Sequence, residues 1–304
     1  MPLAFLPSPP SNGFHVGPLF VHFYGLMYVI GIALAVYITR RRWIAAGGSG
    51  PLVADMATWA VPAGIIGGRI YFDITTPGDI PHHWWGIFAV WSGGLGIWGG
   101  IAGGAAAGIW RGGLGVWGGI AAGAAAGVWR VRRSGAGVGV FMNAAAPALL
   151  VAQAVGRVGN YFNQELFGKP SGLPWAVEIS PAARAAAGIP AADLGYGTFQ
   201  PSFLYEMIFD LALAAFLVWL GHRAAIRPQG LFALYVAGYS AYRVFEETIR
   251  TDSSAYVLGL RLNFFTALVL TVAGLAWFVA VQRRGDARAA PAGAALPAED
   301  IPIS

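Results

Sequence analysis

The sequence predicts an all-α membrane protein, a bundle of about seven transmembrane helices with a small external cap between helices four and five. Of its 304 residues, 57% are hydrophobic and 11% are charged, whereas soluble domains carry about 25% charged residues. Apolar segments of about 20 residues, the length that crosses a bilayer, recur along the chain. Arginine clusters flank these segments instead of forming a surface stripe, so the basic charge indicates membrane orientation and not nucleic-acid binding.

The apolar runs define the predicted spans in chain order. They cover residues 19–39, 52–74, one copy of the repeat described below, 138–162, 202–220, 230–249 and 262–281. Because positively charged residues are retained in the cytoplasm, the arginine clusters should share that side. These clusters lie at residues 40–42, 130–133, 223–227 and 283–284. Seven spans with an external N-terminus and a cytoplasmic C-terminus place all four clusters in the cytoplasm.

The connections between spans predict the domain organisation. Residues 1–285 should form one polytopic transmembrane domain, in which the polar connection at about 163–200 is the external cap. Residues 286–304 are rich in Ala and Pro and should form a disordered cytoplasmic tail. Residues 1–17 have no basic stretch and no small-residue cleavage site, so we do not expect a cleavable signal peptide.

The third span lies in a tandem repeat, in which residues 93–111 recur almost unchanged as residues 112–130. If both copies crossed the membrane, the arginine clusters would no longer share one side. We therefore expect a local duplication in which one copy spans. Residues 112–129 are favoured because they lead directly into the arginine cluster at 130–133.

Composition also limits the chemistry. Cysteine is absent, which excludes disulfides, thiolate metal ligands and a cysteine nucleophile. The five histidines are scattered without the spacing of a metal motif, so we expect no metal site. We expect no cofactor either.

Residues 153–168 carry the most informative polar pattern. Arg157 and Asn160 follow an apolar run within the predicted fourth span, and Glu165 lies just beyond the end of that span. A charge at bilayer depth costs at least about 2.5–3.5 kcal/mol and therefore indicates a functional site. A purely structural arginine would need a buried carboxylate, and Glu165 is the nearest acid in the sequence. Gly156 and Gly159 would leave space for a ligand beside Arg157.

Besides Tyr205 and Glu206 at the start of the fifth span, three further groups of polar residues are predicted at the same leaflet. His22 and Tyr24 begin the first span, although an interfacial aromatic belt explains a tyrosine there equally well. Arg69 and Asp73 share one helix face, where a buried structural pair is an equal alternative. A third group forms one stripe on the sixth span, namely Tyr239, Arg243 and Glu247.

These motifs resemble the prolipoprotein diacylglyceryl transferase family, bacterial membrane enzymes that lipidate lipoprotein precursors. The resemblance covers roughly residues 19–282 in the family's order. It rests on residues 22–28, Gly67-Gly68-Arg69, the repeated glycine pairs, Gly156-Arg157-Val158-Gly159-Asn160, residues 163–168, residues 201–206, and Tyr242-Arg243 with Glu247.

The resemblance implies that the diacylglyceryl group of phosphatidylglycerol moves to the thiol of a prolipoprotein's lipobox cysteine in the bacterial inner membrane. Phosphate binding is assigned to Arg157 and Arg243, supported by Arg69, because guanidinium groups bind phosphate oxygens bidentately. Asn160 and Tyr24 would donate hydrogen bonds to the leaving phosphate. Catalytic candidates are Tyr24, His22, Asn160, Glu165, Tyr239 and Glu247.

The general base cannot be transferred from the family. Where many members have a histidine between the glycine pairs, this chain has Trp98 and Trp117, and the histidine before Pro201 is replaced by Gln200. His22, Glu165 and Glu247 remain candidates, and Tyr24 only with a strongly lowered pKa. The alternative function is a membrane transporter or channel for an anionic solute, although the repeat here is direct and short, unlike the inverted repeats of transporters.

Overall fold

The computed structural model describes residues 5–75, 108–252 and 256–283. In these ranges the chain forms seven long α-helices and one short one. They are α1 (Phe23–Ala45), α2 (Gly50–Thr75), α3 (Gly108–Arg133), α4 (Val138–Asn163), the short α5 (Pro181–Ala186), α6 (Ser202–Arg223), α7 (Gly230–Ile249) and α8 (Leu262–Arg283).

Four of the long helices, α1, α4, α6 and α8, are long and apolar enough to cross a membrane. The chain is therefore an all-α, multi-pass membrane protein. A long helix also lies on each of the other predicted segments, but which of these cross the bilayer stays a prediction. The first segment begins later than predicted, because residues 19–22 form a strand and α1 starts only at Phe23.

The long helices pack as antiparallel pairs, with α1 against α4, α2 against α3, and α7 against α8. Small residues permit close approach of the backbones, as is common between membrane helices. A Cβ atom on Gly274 of α8 would lie 2.7 Å from the backbone nitrogen of Ala237 in α7. Substitution at this glycine would therefore force the two helices apart.

The repeat and the tail are only partly covered. Helix α3 contains the whole second copy of the repeat, residues 112–130, in agreement with the helix predicted there. Residues 93–107 of the first copy, including Trp98, lie outside the described residues, as do residues 284–304, which include the predicted disordered tail at 286–304.

In the described ranges, three two-stranded antiparallel ribbons that were not predicted from the sequence accompany the helices. Strands β1 (Gly13–Val16) and β2 (Leu19–His22) precede α1, and β5 (Tyr256–Val257) and β6 (Leu260–Arg261) precede α8. Strands β3 (Val177–Glu178) and β4 (Thr198–Phe199) pair within the connection between α4 and α6. That connection has its own apolar core, formed by Phe167, Val177, Ile179, Ala187, Ile189, Phe199 and Phe203.

The two ends of the bundle differ in composition. The end of α6 lies beside the end of α1, since a Cβ atom on Gly221 would be 3.8 Å from Nη2 of Arg42. The start of α4 lies beside the start of α7, where Asn143 Oδ1 accepts a hydrogen bond from the Leu231 amide. The arginine-rich termini of α1 and α6 are thus together, and the polar residues of α4, α6 and α7 lie toward the opposite end.

Candidate active site

The end of α4 is shaped by a sharp reversal of the backbone. Gln164 closes the helix in the left-handed conformation, with φ 52°, and Leu166 also has a positive φ of 55°. The Gln164 side chain fixes this turn because its Oε1 accepts a hydrogen bond of 2.8 Å from the Ser180 amide. The reversal directs Glu165 back toward the last turn of α4.

Arg157, Asn160 and Glu165 form a continuous hydrogen-bonded chain. Arg157 Nη1 donates to Asn160 Oδ1 at 3.0 Å, and Asn160 Nδ2 donates to Glu165 Oε1 at 2.7 Å. Asn163 Nδ2 is 3.4 Å from the same carboxylate oxygen. Asn160 was predicted to donate to a ligand, but here both ends of its buried amide hold other side chains, so its observed role is to connect Arg157 with Glu165.

Glu206 is the centre of the cluster. It lies one turn into α6 and is fully buried. Its Oε1 is 2.9 Å from Arg157 Nη2 and accepts a 2.9 Å hydrogen bond from the Tyr239 hydroxyl. Its Oε2 is 3.7 Å from Arg243 Nη1. One carboxylate thus joins helices α4, α6 and α7, and the buried acid that pairs with Arg157 is Glu206 and not Glu165, the nearest acid in the sequence.

Arg243 is contacted by three carboxylates. Besides Glu206, its Nη1 donates to Glu246 Oε2 and its Nη2 donates to Glu247 Oε1. The pairing of Arg243 with Glu247 agrees with the stripe predicted on this helix. Glu246 was not singled out from the sequence, yet it is as deeply buried as Glu247.

The network continues into the ribbon before α8 through Arg261, which is only 4% exposed. Its Nε donates to Glu247 Oε2 at 2.6 Å, and its Nη2 is 3.1 Å from Asp252 Oδ2. Asp252 in turn binds Arg250 bidentately at 2.7 and 2.8 Å. Both oxygens of Glu247 therefore bind guanidinium groups.

Tyr24 lies against the same part of α4. Its hydroxyl is 3.1 Å from that of Tyr28, and its ring covers Gly159, where a Cβ atom would lie 2.3 Å from Tyr24 Cδ2. The space predicted beside Gly159 for a ligand is therefore filled by Tyr24, whereas Gly156 faces open space. Either hydroxyl of the Tyr24–Tyr28 contact can be the donor.

The other two predicted residues occupy neighbouring elements. His22 ends β2 immediately before α1, and its ring packs 4.7 Å from that of Phe20. Arg69 Nε is 3.0 Å from Asp73 Oδ1 on the same face of α2, the ion pair that their spacing predicts. Helix α2 packs against α3 and α1, whereas Arg157, Glu206 and Arg243 lie on α4, α6 and α7.

Burial and charge set the protonation of the acids beyond the helix ends. Burial raises the pKa of the Glu165 carboxyl above its usual range, and the hydrogen bonds from Asn160 and Asn163 offset this only in part. Asp252 behaves in the opposite way. Burial alone would raise its pKa, but the guanidinium groups of Arg250 and Arg261 lower it. Glu165 is thus the better proton acceptor of the two near neutral pH.

The cluster combines guanidinium groups that can bind a phosphate with carboxylates that can hold protons. The buried Nε atom of Arg157 makes no hydrogen bond, although the other two nitrogens of this side chain are engaged. In the described ranges, no group of three or more His, Asp or Glu side chains is arranged to hold a metal ion. The Nε atom of Arg157 is thus the nitrogen of this side chain that could donate to an anionic ligand.

Glu206 was predicted at the leaflet of the site but was not named as a catalytic or binding residue, and Glu246 and Arg261 were not singled out from the sequence. Glu206 offered a signal, because it is an acid within an apolar helix and belongs to one of the motifs quoted above. Glu246 and Arg261 gave no such signal in the sequence. Glu246 merely precedes a catalytic candidate, Glu247, and Arg261 lies in the connection before the predicted seventh span, so neither has a distinctive spacing.

The chain was compared with known proteins. The family profile described as prolipoprotein diacylglyceryl transferase matches residues 12–110 and 105–280. The two matched ranges overlap at residues 105–110, within the first copy of the tandem repeat.

Several curated relatives are named phosphatidylglycerol–prolipoprotein diacylglyceryl transferase. The protein of Frankia alni is 42% identical over 294 residues, which cover 96% of this chain and 71% of the relative. That of Paenarthrobacter aurescens is 42% identical over 93% of this chain and 86% of its own length. That of Streptomyces griseus is 39% identical over 92% of this chain and 78% of its own length.

Proposed function

The chain belongs to the prolipoprotein diacylglyceryl transferase family, and on this premise we propose how the residues of its polar cluster carry out the reaction. The chain is a transferase of lipoprotein biosynthesis that moves the diacylglyceryl group of phosphatidylglycerol to prolipoproteins. The relatives named for this activity match it over more than nine-tenths of its length.

The phosphate of phosphatidylglycerol binds between Arg157 and Arg243. The observation that supports this assignment is their shared contact with Glu206, which holds the two guanidinium groups on facing helices. Two arginines fixed in this way can contact both sides of a phosphodiester and stabilise the charge that grows on the leaving phosphate. Arg69 on α2 would contribute a third positive charge from the neighbouring helix pair.

The nucleophile is the thiol of the lipobox cysteine, which the substrate itself provides because this chain contains no cysteine. The thiolate attacks the glycerol carbon of the diacylglyceryl group, and glycerol 1-phosphate leaves. We assign the general base to Glu165. Its burial and the raised pKa of its carboxyl favour proton acceptance, whereas both oxygens of Glu247 bind guanidinium groups. Tyr239 acts by orienting Glu206.

The same account includes an orientation in the bacterial inner membrane. The arginine-rich termini face the cytoplasm, and the cluster around Glu206 opens toward the external leaflet, where the precursor's cysteine would arrive. The N-terminus is then external and the C-terminus cytoplasmic. The connection between α4 and α6, with its separate apolar core, forms an external cap over about seven spans.

The function is tested by lipidation of a model precursor. The purified chain is added to vesicles containing phosphatidylglycerol and a precursor with a lipobox cysteine, and to the same precursor with serine in that position. We expect a mass increase of one diacylglyceryl group and release of glycerol phosphate only with cysteine. Flux of an anionic solute through the vesicles without lipidation would contradict the proposal and indicate a transporter.

A further inference from the structure

Glu206 and Glu246 are two buried carboxylates that face the same nitrogen. Glu206 Oε2 is 3.7 Å from Arg243 Nη1, and Glu246 Oε2 accepts a hydrogen bond from that same atom. The two residues come from different helices, α6 and α7, and their side chains are 0% and 1% exposed. This Glu206–Glu246 pair is distinct from Glu165, the acid assigned as the base.

Each member of the pair also has a buried oxygen without a hydrogen-bond partner, Oε2 of Glu206 and Oε1 of Glu246. A fully ionised pair would place two negative charges around one guanidinium group while leaving two carboxylate oxygens unsatisfied. Like charges that share a buried site cannot both ionise readily, and carboxyl pairs of this kind hold a proton between them.

The surrounding charges do not remove this conflict. Arg157 and Arg243 contribute two positive charges to the pair, but Arg243 is also bound by Glu247. Other titratable groups that face the pair from α6 and α7 and the end of α7 are Asp210, Tyr239, Tyr242, Glu247 and Arg250. Asp210 lies one turn from Glu206 on α6 and is fully buried. Because it is itself an acid, it cannot offset the negative charge of the pair.

A phosphodiester that approaches Arg157 and Arg243 adds another negative charge to the same space. We propose that the Glu206–Glu246 pair is a proton-binding site, and that it carries one proton when phosphatidylglycerol is bound. This inference rests on the proposed function and deepens it, because it makes Glu246 a residue that controls lipid affinity. The proton neutralises one carboxylate, so that the two arginines can turn their positive charge toward the phosphate.

The inference predicts that lipid binding depends on pH in a defined direction. At a pH low enough for the lipid-free pair to hold its proton, the affinity for phosphatidylglycerol is constant. At higher pH, where the lipid-free pair has lost the proton, this affinity falls by up to about tenfold per pH unit. Binding should then take up close to one proton in alkaline solution. The Glu246→Gln substitution mimics the protonated side chain, so that its affinity should vary by less than about twofold between about pH 6 and about pH 9.

The experiment is titration calorimetry of the full chain in detergent with short-chain phosphatidylglycerol, in two buffers of different ionisation enthalpy. The difference in binding heat between the two buffers gives the number of protons taken up on lipid binding. This measurement needs only the wild-type protein. Glu246→Gln is compared with Glu178→Gln, an exposed acid on β3, which should retain the wild-type pH profile.

The outcomes separate this inference from the function on which it rests. Lipid binding with no proton uptake at any pH, or a Glu246→Gln profile as steep as that of the wild type, would overturn the shared proton alone. Absence of phosphatidylglycerol binding at every pH would instead contradict the proposed function. If Glu246→Gln fails to fold, the proton count of the wild-type protein still decides.

Discussion

Arg157 of α4 and Glu206 of α6 form an ion pair of 2.9 Å that joins two helices at the polar end of the bundle. The pair explains how an arginine can lie in an apolar helix, because a buried charge is tolerated when it is paired and hydrogen-bonded. The same carboxylate lies 3.7 Å from Arg243, which supports the proposed phosphate site between the two arginines.

The contact between Tyr24 and Gly159 predicts a steric effect. In Gly159→Ala the new methyl group would lie 2.3 Å from Tyr24 Cδ2, so α1 and α4 must separate. We expect a loss of about 1–3 kcal/mol of stability, measured as a lower Tm in detergent. Gly156→Ala, whose methyl group meets no atom within 4 Å, is the matched control and should keep the wild-type Tm. Equal effects of the two substitutions would show that Tyr24 does not cover Gly159.

The raised pKa of Glu165 predicts how stability depends on pH. The folded protein holds this proton at a pH where the unfolded chain, with a pKa of about 4.3, has lost it. Stability from Glu165 is therefore complete below about pH 4.3 and decreases as the pH rises through the folded pKa. Glu165→Gln should remove this decrease, which denaturation scans at several pH values would detect. A wild-type slope in Glu165→Gln would assign the titration to another group.

The helices and the Arg243–Glu247 pair could be predicted from the sequence, whereas the central position of Glu206 in the site could not. The apolar runs and the Arg243–Glu247 spacing depend on neighbours within one helix, so they were readable from the chain. The partners of Arg157 and Glu247 come from other elements, α6 and β6, and nothing in local spacing predicts such pairings. Gly159 was recognised as a gap, but only the packing of α1 shows that Tyr24 fills it.

The tandem repeat predicts that one copy is dispensable. A single copy forms a helix of about 28 Å, close to the hydrocarbon thickness of about 30 Å. Deleting residues 93–111 should leave most of the lipidation activity, because α3 retains its full second copy. Deleting residues 93–130, the control, should abolish activity because no third span remains. Complete loss of activity in the first deletion, at normal expression, would show that both copies are structural.

The proposed orientation predicts the location of two sites relative to the membrane. A reporter fused after Arg284 should be cytoplasmic, and one inserted at Gly172, an exposed position in the α4–α6 connection, should be external. Accessibility to a membrane-impermeant reagent in intact cells measures both. A cytoplasmic Gly172 would rule out the arrangement with the cap and the site on the external side.

Arg157 provides the most direct test of the account, because it is assigned to bind the lipid phosphate while it also contacts Glu206. Charge-assisted hydrogen bonds contribute about 1.5–3 kcal/mol each, so Arg157→Ala should lower transfer by at least about tenfold to a hundredfold. Arg157→Lys keeps the charge but loses the bidentate geometry, so it should insert normally and remain well below wild-type activity. Arg283→Ala, at an exposed arginine at the opposite end of the bundle, is the control.

The deciding measurement is the initial rate of diacylglyceryl transfer from phosphatidylglycerol to a lipobox precursor, at matched membrane levels of each variant. The account predicts near-complete loss in Arg157→Ala, an intermediate rate in Arg157→Lys and a wild-type rate in Arg283→Ala. A near-wild-type rate in Arg157→Ala would contradict it and would place the phosphate with Arg243 and Arg69 instead.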